Sequence, residues 1–426
     1  MISVDQRTKI NMKLTDSEQA MLNGEQGMAT QKAMQILAAL GTIYGAERML
    51  PISSAQIAGV SFDNLGEAGL QFLTEMAEGG GKARVLATLN PAGMDTENWQ
   101  ALSIPADFAV NQERVIEAFA RMGVVTTCTC TPYLSGNLPQ FGQHLAWAES
   151  SAVCYANSVL GARTNREGGP SALAAALTGL TPDYGMHLEQ GRQPGLTIHV
   201  QAHVEGTHAF GALGMVIGQK LESSRRKPIP YILGIERASL EELKSFCASL
   251  ATYGGAALFH MPGITPEAAQ FSPPGDALRL TSAELEAAAH SLNLAAAEEV
   301  DFVSLGCPHL SLQEIARLAD LLQGQHVTRE FWITTARPTK QIADRMGYTQ
   351  IIEASGAKFA ADTCCVVAPI RGRFQVMATD SAKACYYAAG KNKFKTVFKP
   401  FDEVVRGALG GSSANCANST KKNPSH

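Results

Sequence analysis

Basic charge and long apolar runs are both scarce in this sequence. Its 426 residues carry 35 Lys and Arg against 39 Asp and Glu, a formal net charge of −4, which argues against nucleic acid as the main partner. No apolar run approaches the ~18 residues that a bilayer span requires, so no membrane partner is expected. The first seven residues lack the apolar core of a secretion signal.

Cysteine is present but does not form a disulfide pattern. The nine cysteines are an odd number in a long chain and include no Cys-x-x-Cys redox motif. We therefore expect reduced thiols in a cytoplasmic protein, with ligand or catalytic roles for a few of them.

Glycine is plentiful, with 39 residues, many of them at the ends of apolar stretches. Segments with helical periodicity, such as 28–44 and 240–253, alternate with short apolar stretches that enter polar loops. This alternation predicts an α/β fold with mostly parallel sheets. The chain length predicts two or three subdomains, and we expect a boundary near residues 190–230.

Three cysteine-bearing turns follow predicted strands. They contain Cys130 in Thr126–Asn137, Cys307 in Gly306-Cys307-Pro308, and Cys364 in Asp362–Cys365. Ligands of parallel α/β sheets bind beyond the carboxyl ends of strands, so these turns are expected to meet at one site. Three thiolates suit an iron–sulfur cluster or zinc, although scattered buried thiols remain an alternative because the spacing matches no compact ferredoxin motif. Other residues at predicted strand ends are Ser53, Asn90, His260 and Thr335.

A dense polar segment, residues 149–170, interrupts an apolar region. Arg163 can grip a carboxylate or phosphate with its two-pronged guanidinium. The alternative is a loop and helix cap without a ligand. The expected substrate-binding residues are Asn157, Ser158, Arg163, Thr164, Asn165 and His260.

Several motifs together resemble the large subunit, or catalytic domain, of the aconitase X family. The resemblance runs from about residue 12 to about residue 405, and the motif at 155–170 is the most specific. The motifs are Lys13-Leu14-Thr15-Asp16, Ala46-Glu47-Arg48, Thr88–Asp95, Thr129–Tyr133, Glu149–Val153, Tyr155–Pro170, Leu258-Phe259-His260, Gly263–Glu267 and Asp362-Thr363-Cys364.

This resemblance implies an aconitase-like arrangement of three-layer α/β/α domains and a hydro-lyase that depends on an iron–sulfur cluster (2Fe-2S, 3Fe-4S or 4Fe-4S). By position, the cluster ligands correspond to Cys130, Cys307 and Cys364. One branch of the family dehydrates cis-3-hydroxy-L-proline to a pyrroline-2-carboxylate. The other dehydrates (R)-5-phosphomevalonate. Because residues 149–170 offer only Arg163 and Arg166 to a phosphate, the hydroxyproline branch, and hence hydroxyproline degradation, is preferred here.

The family also implies a small swivelling domain or subunit that completes the active site. We expect a separate small chain and therefore a heterodimer, with the catalytic region at 13–405, an N-terminal extension at 1–12 and a disordered tail at 406–426. Candidate catalytic residues are Ser53, Asn90, Glu149 and Ser150. The base that removes the substrate's α-proton is expected from the small partner.

Two departures from the family pattern affect these assignments. Gln56 stands where a histidine is expected, and the pair Cys364-Cys365 replaces a single cysteine, so the third ligand is either of the two. Of the thiols in the first turn, Cys128 is interpreted as a bystander facing the same side as Cys130. Two interpretations from other classes remain, a non-catalytic binding or assembly subunit and a zinc hydrolase.

Overall fold

The structure is a computed structural model that describes residues 12–223, 228–275 and 277–409. The predicted disordered tail lies outside the described residues from Gly410 onward. Residues 406–409 of that predicted tail are described, and the first three are not disordered, because a helix continues through Arg406 to Ala408, which is buried. Of the predicted N-terminal extension only Met12 is described, and it packs into the first hydrophobic core.

The first part of the chain builds a three-stranded parallel sheet in the order β3-β2-β4, and an antiparallel pair, β1 with β5. Helices α2, α3 and α4 bury one apolar face each against this core, as in α2, where Ala33, Met34 and Leu37 are buried and Ile43 is exposed. Helices α5 and α6 are buried along almost their whole length. The helices are Asp16–Asn23 (α1), Met28–Tyr44 (α2), Phe62–Glu78 (α3), Ala106–Arg121 (α4), Ser150–Ser158 (α5) and Gly169–Thr178 (α6). The strands are Met49–Pro51 (β1), Ser54–Ile57 (β2), Leu86–Leu89 (β3), Leu145–Trp147 (β4) and Leu180–Pro182 (β5).

A second parallel sheet, in the order β7-β6-β8, carries two closely packed helices. The glycines of α7 permit this packing, because a Cβ at Gly214 would lie 2.7 Å from the Phe246 carbonyl oxygen and one at Gly218 2.9 Å from the Gly254 nitrogen. The elements are Pro194–Val200 (β6), Gly206–Glu222 (α7), Ile229–Leu233 (β7), Leu240–Gly254 (α8), Ala277–Leu280 (β8) and Ser282–Ser291 (α9).

The last part forms a five-stranded sheet, β11-β10-β9-β12-β13, in which all neighbours are parallel. Its central strands are fully buried, so they read in the sequence as continuous apolar runs. The elements are Phe302–Leu305 (β9), Leu312–Leu322 (α10), Glu330–Thr335 (β10), Arg337–Arg345 (α11), Tyr348–Ala354 (α12), Lys358–Ala361 (β11), Val376–Thr379 (β12), Ala382–Tyr387 (α13), Lys395–Phe398 (β13) and Phe401–Ala408 (α14).

The predicted α/β class with mostly parallel sheets is confirmed, while several individual strands are not. Residues 256–260 form a loop with one bridge to Tyr231, and residues 122–125 contribute only a bridge from Val125 to Thr88. Cys128 has a φ of +43°, so the chain does not alternate like a strand between Cys128 and Cys130. The expectation that both thiols face the same side is therefore wrong.

Candidate functional site

The three cysteine turns meet where strands of two sheets end. Cys130 follows residues that run beside β3, with the Thr129 nitrogen donating to the Leu89 carbonyl. Cys307 lies two residues beyond β9, and Cys364 three residues beyond β11. Asp362 links the two regions, because its carbonyl accepts from the Ala92 nitrogen at 2.8 Å.

The thiols of these turns lie within electrostatic reach of one another. Burial raises the pKa of Cys130 to about 12, and the neighbouring Glu149 and Cys364 add to the rise. Burial also raises the pKa of Cys307, and there Cys364, Cys365 and Cys130 all contribute. Lys383 opposes the rise at both residues, because its positive charge favours the thiolates. The structure thus brings three thiols and one cation together; Cys130 and Cys364 are buried and Cys307 is partly buried.

The environments of Cys364 and Cys365 differ. Cys364 influences both other thiols and is itself within reach of Lys383 and Glu149, while backbone N–H groups of Val366 and Val367 donate to it. Cys365 is hydrogen-bonded to Ser304 and packs in a hydrophobic cluster behind the turn. Cys364 is therefore the member of the pair that faces the other two turns.

Cys128 lies apart from the three thiols. Burial raises its pKa, and Asp362 and Arg337 are its charged neighbours. Its thiol packs within the first hydrophobic core. These surroundings agree with its interpretation as a bystander.

A buried ion pair lies next to the thiols. The Lys383 Nζ donates to Glu149 Oε1 at 2.5 Å, and both residues are less than 10% exposed. Burial raises the pKa of the Glu149 carboxyl, but the charge and hydrogen bond of Lys383, with donors from Ser151 and Asn90, outweigh it and hold the pKa at about 2. Burial lowers the pKa of Lys383, whereas Glu149, Cys307 and Cys130 raise it to a net value well above the usual one. Both groups are therefore charged.

Local structure explains why Glu149 points to this place. Glu149 is the N-cap of α5, and its carboxylate accepts from the Ser151 nitrogen and hydroxyl. Asn90, at the end of β3, donates to Glu149 Oε2 at 2.8 Å. Gln56, at the end of β2, donates to Asn90 and accepts from the Glu149 nitrogen at 2.9 Å. The carboxyl ends of two parallel strands and the capped start of α5 thus hold the side chains of Gln56, Asn90 and Glu149 together.

Three partly exposed residues surround this pair. Tyr387 is half-buried, and burial raises the pKa of its hydroxyl while Lys383, Glu149, Cys307 and Arg166 all act on it. Arg166 is exposed and is bridged to Trp147 at the end of β4. Ser150 opens α5 and, like Arg166, makes no hydrogen bond or ion pair with another described side chain. These three groups are free to contact a ligand.

A small cavity adjoins Cys307. Buried Asp380 lines it and accepts from the Thr207 hydroxyl at 2.7 Å. Burial raises the pKa of Asp380 to about 6; Thr207 lowers it, Glu314 raises it and Lys244 lowers it. The cavity is therefore polar and adjoins one of the three thiols.

Other expected site residues lie elsewhere. Ser53 is exposed at the amino end of β2, where its hydroxyl contacts the His144 carbonyl. The expectation that Ser53 ends a strand leading to the site is wrong, because β1 pairs antiparallel outside the parallel sheet and Ser53 precedes β2. Arg163 is bridged to His144 at the same amino end and forms an ion pair with Glu189. Neither residue is brought to the thiols.

The remaining polar side chains of this segment satisfy backbone groups. Asn157 exchanges hydrogen bonds with both backbone groups of Thr164 at 2.9 Å. The Ser158 hydroxyl accepts from the Phe259 nitrogen, and Asn165 binds the Met186 nitrogen and the Tyr184 carbonyl. His260 contacts the Arg192 carbonyl at 2.8 Å. These contacts support the interpretation of the segment as a loop and helix cap without a ligand. Helix α5 runs away from Glu149, and the chain after it returns to the amino end of β4.

Sequence reasoning missed Lys383, Tyr387, Asp380 and the imidazole of His309. Lys383 lies in the short helix α13 after β12, and neither element was predicted. The signal was a charged residue within the apolar run Ala382–Tyr387. His309 follows Cys307-Pro308 directly, so its proximity to a cysteine turn was visible in the sequence.

Three family models match the chain almost end to end. They are the aconitase X first domain at residues 11–190, the second domain at 194–290 and the third domain at 300–410. The chain belongs to the aconitase X family. The resemblance read from the motifs is thereby confirmed.

Similar proteins include both branches of this family. The phosphomevalonate dehydratase large subunit of Methanocaldococcus jannaschii is 44% identical over 93% of this chain and 100% of its own length. That of Methanothermobacter thermautotrophicus is 43% identical over 92% and 98%. The cis-3-hydroxy-L-proline dehydratase of Pseudomonas aeruginosa is 33% identical over 95% of this chain and 71% of its own length. Aconitase X of Thermococcus kodakaraensis, solved in a holo form, superposes with a TM-score of 0.87 at 41% identity, covering 93% of this chain and all of that one.

Membership in this family makes the protein a hydro-lyase of the dehydratase type, which removes the non-catalytic interpretation. Among the described residues, no helix is long and apolar enough to cross a bilayer. No three His, Cys, Asp or Glu side chains in the same ranges are arranged around a single metal ion. An iron–sulfur cluster would distribute the thiolates over more than one iron, so they would not need to converge on one point.

Proposed function

We propose that this protein is the large subunit of an iron–sulfur-dependent dehydratase whose substrate is phosphomevalonate, a 3-hydroxy acid that carries a phosphate. The convergence of Cys130, Cys307 and Cys364 beside the Lys383–Glu149 pair is the observation that carries the proposal. The donor set suits the cofactor, because soft thiolates select iron–sulfur clusters over hard cations.

The substrate assignment rests on similarity and on charge. Relatives named phosphomevalonate dehydratase large subunit reach 43–44% identity, whereas those named cis-3-hydroxy-L-proline dehydratase reach 33%. This favours the phosphomevalonate alternative over the hydroxyproline branch that the sequence motifs suggested. Hydroxyproline was preferred because residues 149–170 offer few cations; Arg166 of that segment forms no ion pair with another described residue, so its charge is available to a phosphate.

The cysteines are proposed as ligands of the cluster, with Cys364 rather than Cys365 as the third. Metal binding requires thiolates, and burial alone opposes their formation. The cationic Lys383 offsets that effect at both Cys130 and Cys307. A cluster with three protein ligands would supply an iron that acts as a Lewis acid on the departing hydroxyl. All eight cysteines in the described ranges are free, which supports a reducing, cytoplasmic location.

Lys383 is proposed to bind the substrate carboxylate. Removal of the proton next to that carboxylate places negative charge on its oxygens, and a fixed ammonium in a buried site stabilises that charge. Glu149 orients the ammonium and, with a pKa of about 2, remains ionised. Since Lys383, Asn90 and Ser151 all donate to Glu149, it is a poor proton acceptor. We therefore place the proton acceptor on the small subunit.

Arg166 is proposed to bind the phosphate. Its guanidinium is exposed, acts on Tyr387 and forms no ion pair with another described residue. Tyr387, on which both Lys383 and Arg166 act, and Ser150, next to Glu149 in the chain, offer further hydroxyl donors. Arginine suits this role because its forked donors match phosphate oxygens.

The partner is proposed from the names of the relatives. Those called large subunit match over 98–100% of their length, so a small subunit is expected to bind here. Its contribution would include the proton acceptor, which the described residues beside Lys383 do not offer in a free form.

The deciding experiment is anaerobic purification of the complex with a small-subunit partner, followed by assay of phosphomevalonate and of cis-3-hydroxy-L-proline. We expect turnover of the first substrate, iron together with acid-labile sulfide, and loss of visible absorption and activity in Cys307→Ala. Arg166→Ala is expected to raise KM for phosphomevalonate about 10- to 100-fold with a smaller change in kcat. Turnover of hydroxyproline alone would overturn the substrate assignment, and zinc without sulfide would overturn the cofactor.

A further inference from the structure

His309 contacts all three cysteine turns from a fully buried position. Its Nδ1 lies 3.0 Å from the Thr129 hydroxyl, in the turn of Cys130. Its Nε2 lies 3.0 Å from the Thr363 carbonyl oxygen, in the turn of Cys364. The residue itself belongs to the turn of Cys307. One side chain therefore joins loops that are 180 and 54 residues apart in sequence.

The partners determine the tautomer. A carbonyl oxygen only accepts, so Nε2 carries the hydrogen and donates to Thr363. Nδ1 is then the acceptor, and the Thr129 hydroxyl donates to it. The Thr131 nitrogen donates to the Thr129 oxygen at 3.1 Å, which completes the arrangement.

The backbone of His309 is anchored as well. Its nitrogen donates to the Cys130 Sγ at 3.2 Å, and its carbonyl accepts from the Lys244 Nζ at 2.8 Å. Lys244 is itself buried and paired with Glu314. Four polar groups of one residue are thus satisfied by three different segments, the turns of Cys130 and Cys364 and the helix that carries Lys244.

From these contacts we propose that His309 is a positioning residue, which holds the three cysteine turns in register for the cluster through its one donor and one acceptor. The inference rests on the proposed iron–sulfur function. Its physical basis is that the thiols sit on three loops whose independent motion would have to be lost when a cluster binds. Outer contacts that orient ligands change metal affinity or activity by about 10- to 100-fold when removed.

The test uses three substitutions that separate hydrogen bonding from volume. His309→Asn keeps a polar atom near Nδ1, His309→Gln keeps a donor near Nε2, and His309→Ala keeps neither. The matched control is His260→Gln, because His260 is equally buried and also contacts a backbone carbonyl, at 2.8 Å, but lies in a loop bridged to the second sheet.

The measurements are iron and sulfide per complex, the rate of iron loss to a ferrous chelator, the electron paramagnetic resonance spectrum and the unfolding midpoint. We expect His309→Ala to lose iron about 10- to 100-fold faster, with an altered spectrum, and each polar variant to recover part of that loss. His260→Gln is expected to lower the unfolding midpoint with a wild-type spectrum and a wild-type rate of iron loss.

Equal rates of iron loss and identical spectra in wild type and His309→Ala would overturn the inference. So would a control that loses iron as fast as the His309 variants, since the effect would then be one of stability alone. Absence of iron and sulfide from the wild-type complex is a different result, because it would overturn the proposed function itself.

Discussion

The two ends of helix α5 carry polar networks of similar density but different use. Glu149, at the start of the helix, pairs with Lys383 beside three thiols. At the other end, about 12 Å away along the helix axis, the Asn157 side chain accepts a hydrogen bond from Arg192. The guanidinium of Arg192 also binds Glu267. Both networks contain a buried ion pair, yet only the first adjoins side chains that are free to contact a ligand.

The difference lies in where the donors point. Arg192 is fully buried and directs its nitrogens at Glu267, at Asn157 and at the Met186 carbonyl. No donor of that guanidinium is left for a substrate. Lys383 makes one hydrogen bond, to Glu149, and an ammonium has three donors. A buried charge indicates a binding site only when part of its hydrogen-bonding capacity remains unused.

Removal of Lys383 should give the largest effect. Lys383→Met leaves the Glu149 carboxylate buried without its cation, which should cost roughly 3–5 kcal/mol of stability. It also removes the charge proposed to bind substrate, which should lower kcat about 100- to 1000-fold. Adding Glu149→Gln removes the uncompensated charge. Urea unfolding and turnover of each complex check this. A double variant that regains activity along with stability would show that Lys383 is structural.

The other end of the helix provides the matched comparison. Arg192→Met should cost roughly 3–5 kcal/mol or somewhat less, because buried Glu267 then keeps Arg163, 4.0 Å away, as its remaining cation among the described residues. Adding Glu267→Leu should recover much of that loss and, with it, wild-type iron content and turnover per folded complex. The same unfolding and iron measurements apply. Wild-type stability but lost turnover in the double variant would place this network in the active site.

This contrast explains how far the sequence predicts the site. The predicted strand ends correctly placed Asn90, Cys307 and Cys364 beyond the carboxyl ends of strands, which parallel sheets present together. The polar segment misled because α5 carries the chain from Glu149, beyond the carboxyl end of β4, back to Arg163, which is bridged to His144 at the amino end of that strand. Lys383 was missed because neither β12 nor α13 was predicted, although Ser381 caps α13 by accepting from the Ala384 nitrogen.

The cavity beside Cys307 gives a pH-dependent prediction of intermediate size. The pKa of Asp380 is about 6 in the folded protein against an ordinary 3.8. The folded state therefore favours the protonated acid, so ionisation of Asp380 destabilises the fold. This destabilisation is absent below about pH 4 and complete above about pH 6. A difference of two pKa units corresponds to roughly 3 kcal/mol. Glu314 and Lys244 are the charged residues that act on this carboxyl.

Asp380→Asn removes this titration while keeping an acceptor for Thr207. The free energy of unfolding of the variant, measured against wild type at pH 4 and pH 8, should therefore shift in favour of the variant by about 2–3 kcal/mol as pH rises. An unchanged difference across that interval would mean that Asp380 does not titrate there. Lys383, in the network at the start of α5, would then be a more important charge near Cys307 than Asp380.

The smallest effect is expected at Cys365, and it sharpens the comparison within the site. Cys365→Ala loses a hydrogen bond to Ser304 and some packing, which costs about 1 kcal/mol, but should leave iron, sulfide and turnover unchanged. Cys364→Ala should behave instead like Cys307→Ala, because Cys364 is the thiol that acts on Cys130 and Cys307. Iron and sulfide analysis of the two variants, prepared side by side without oxygen, decides between neighbours that the sequence cannot distinguish. Retention of the cluster in Cys364→Ala with its loss in Cys365→Ala would move the third ligand by one residue and require the turn after β11 to rearrange when iron binds.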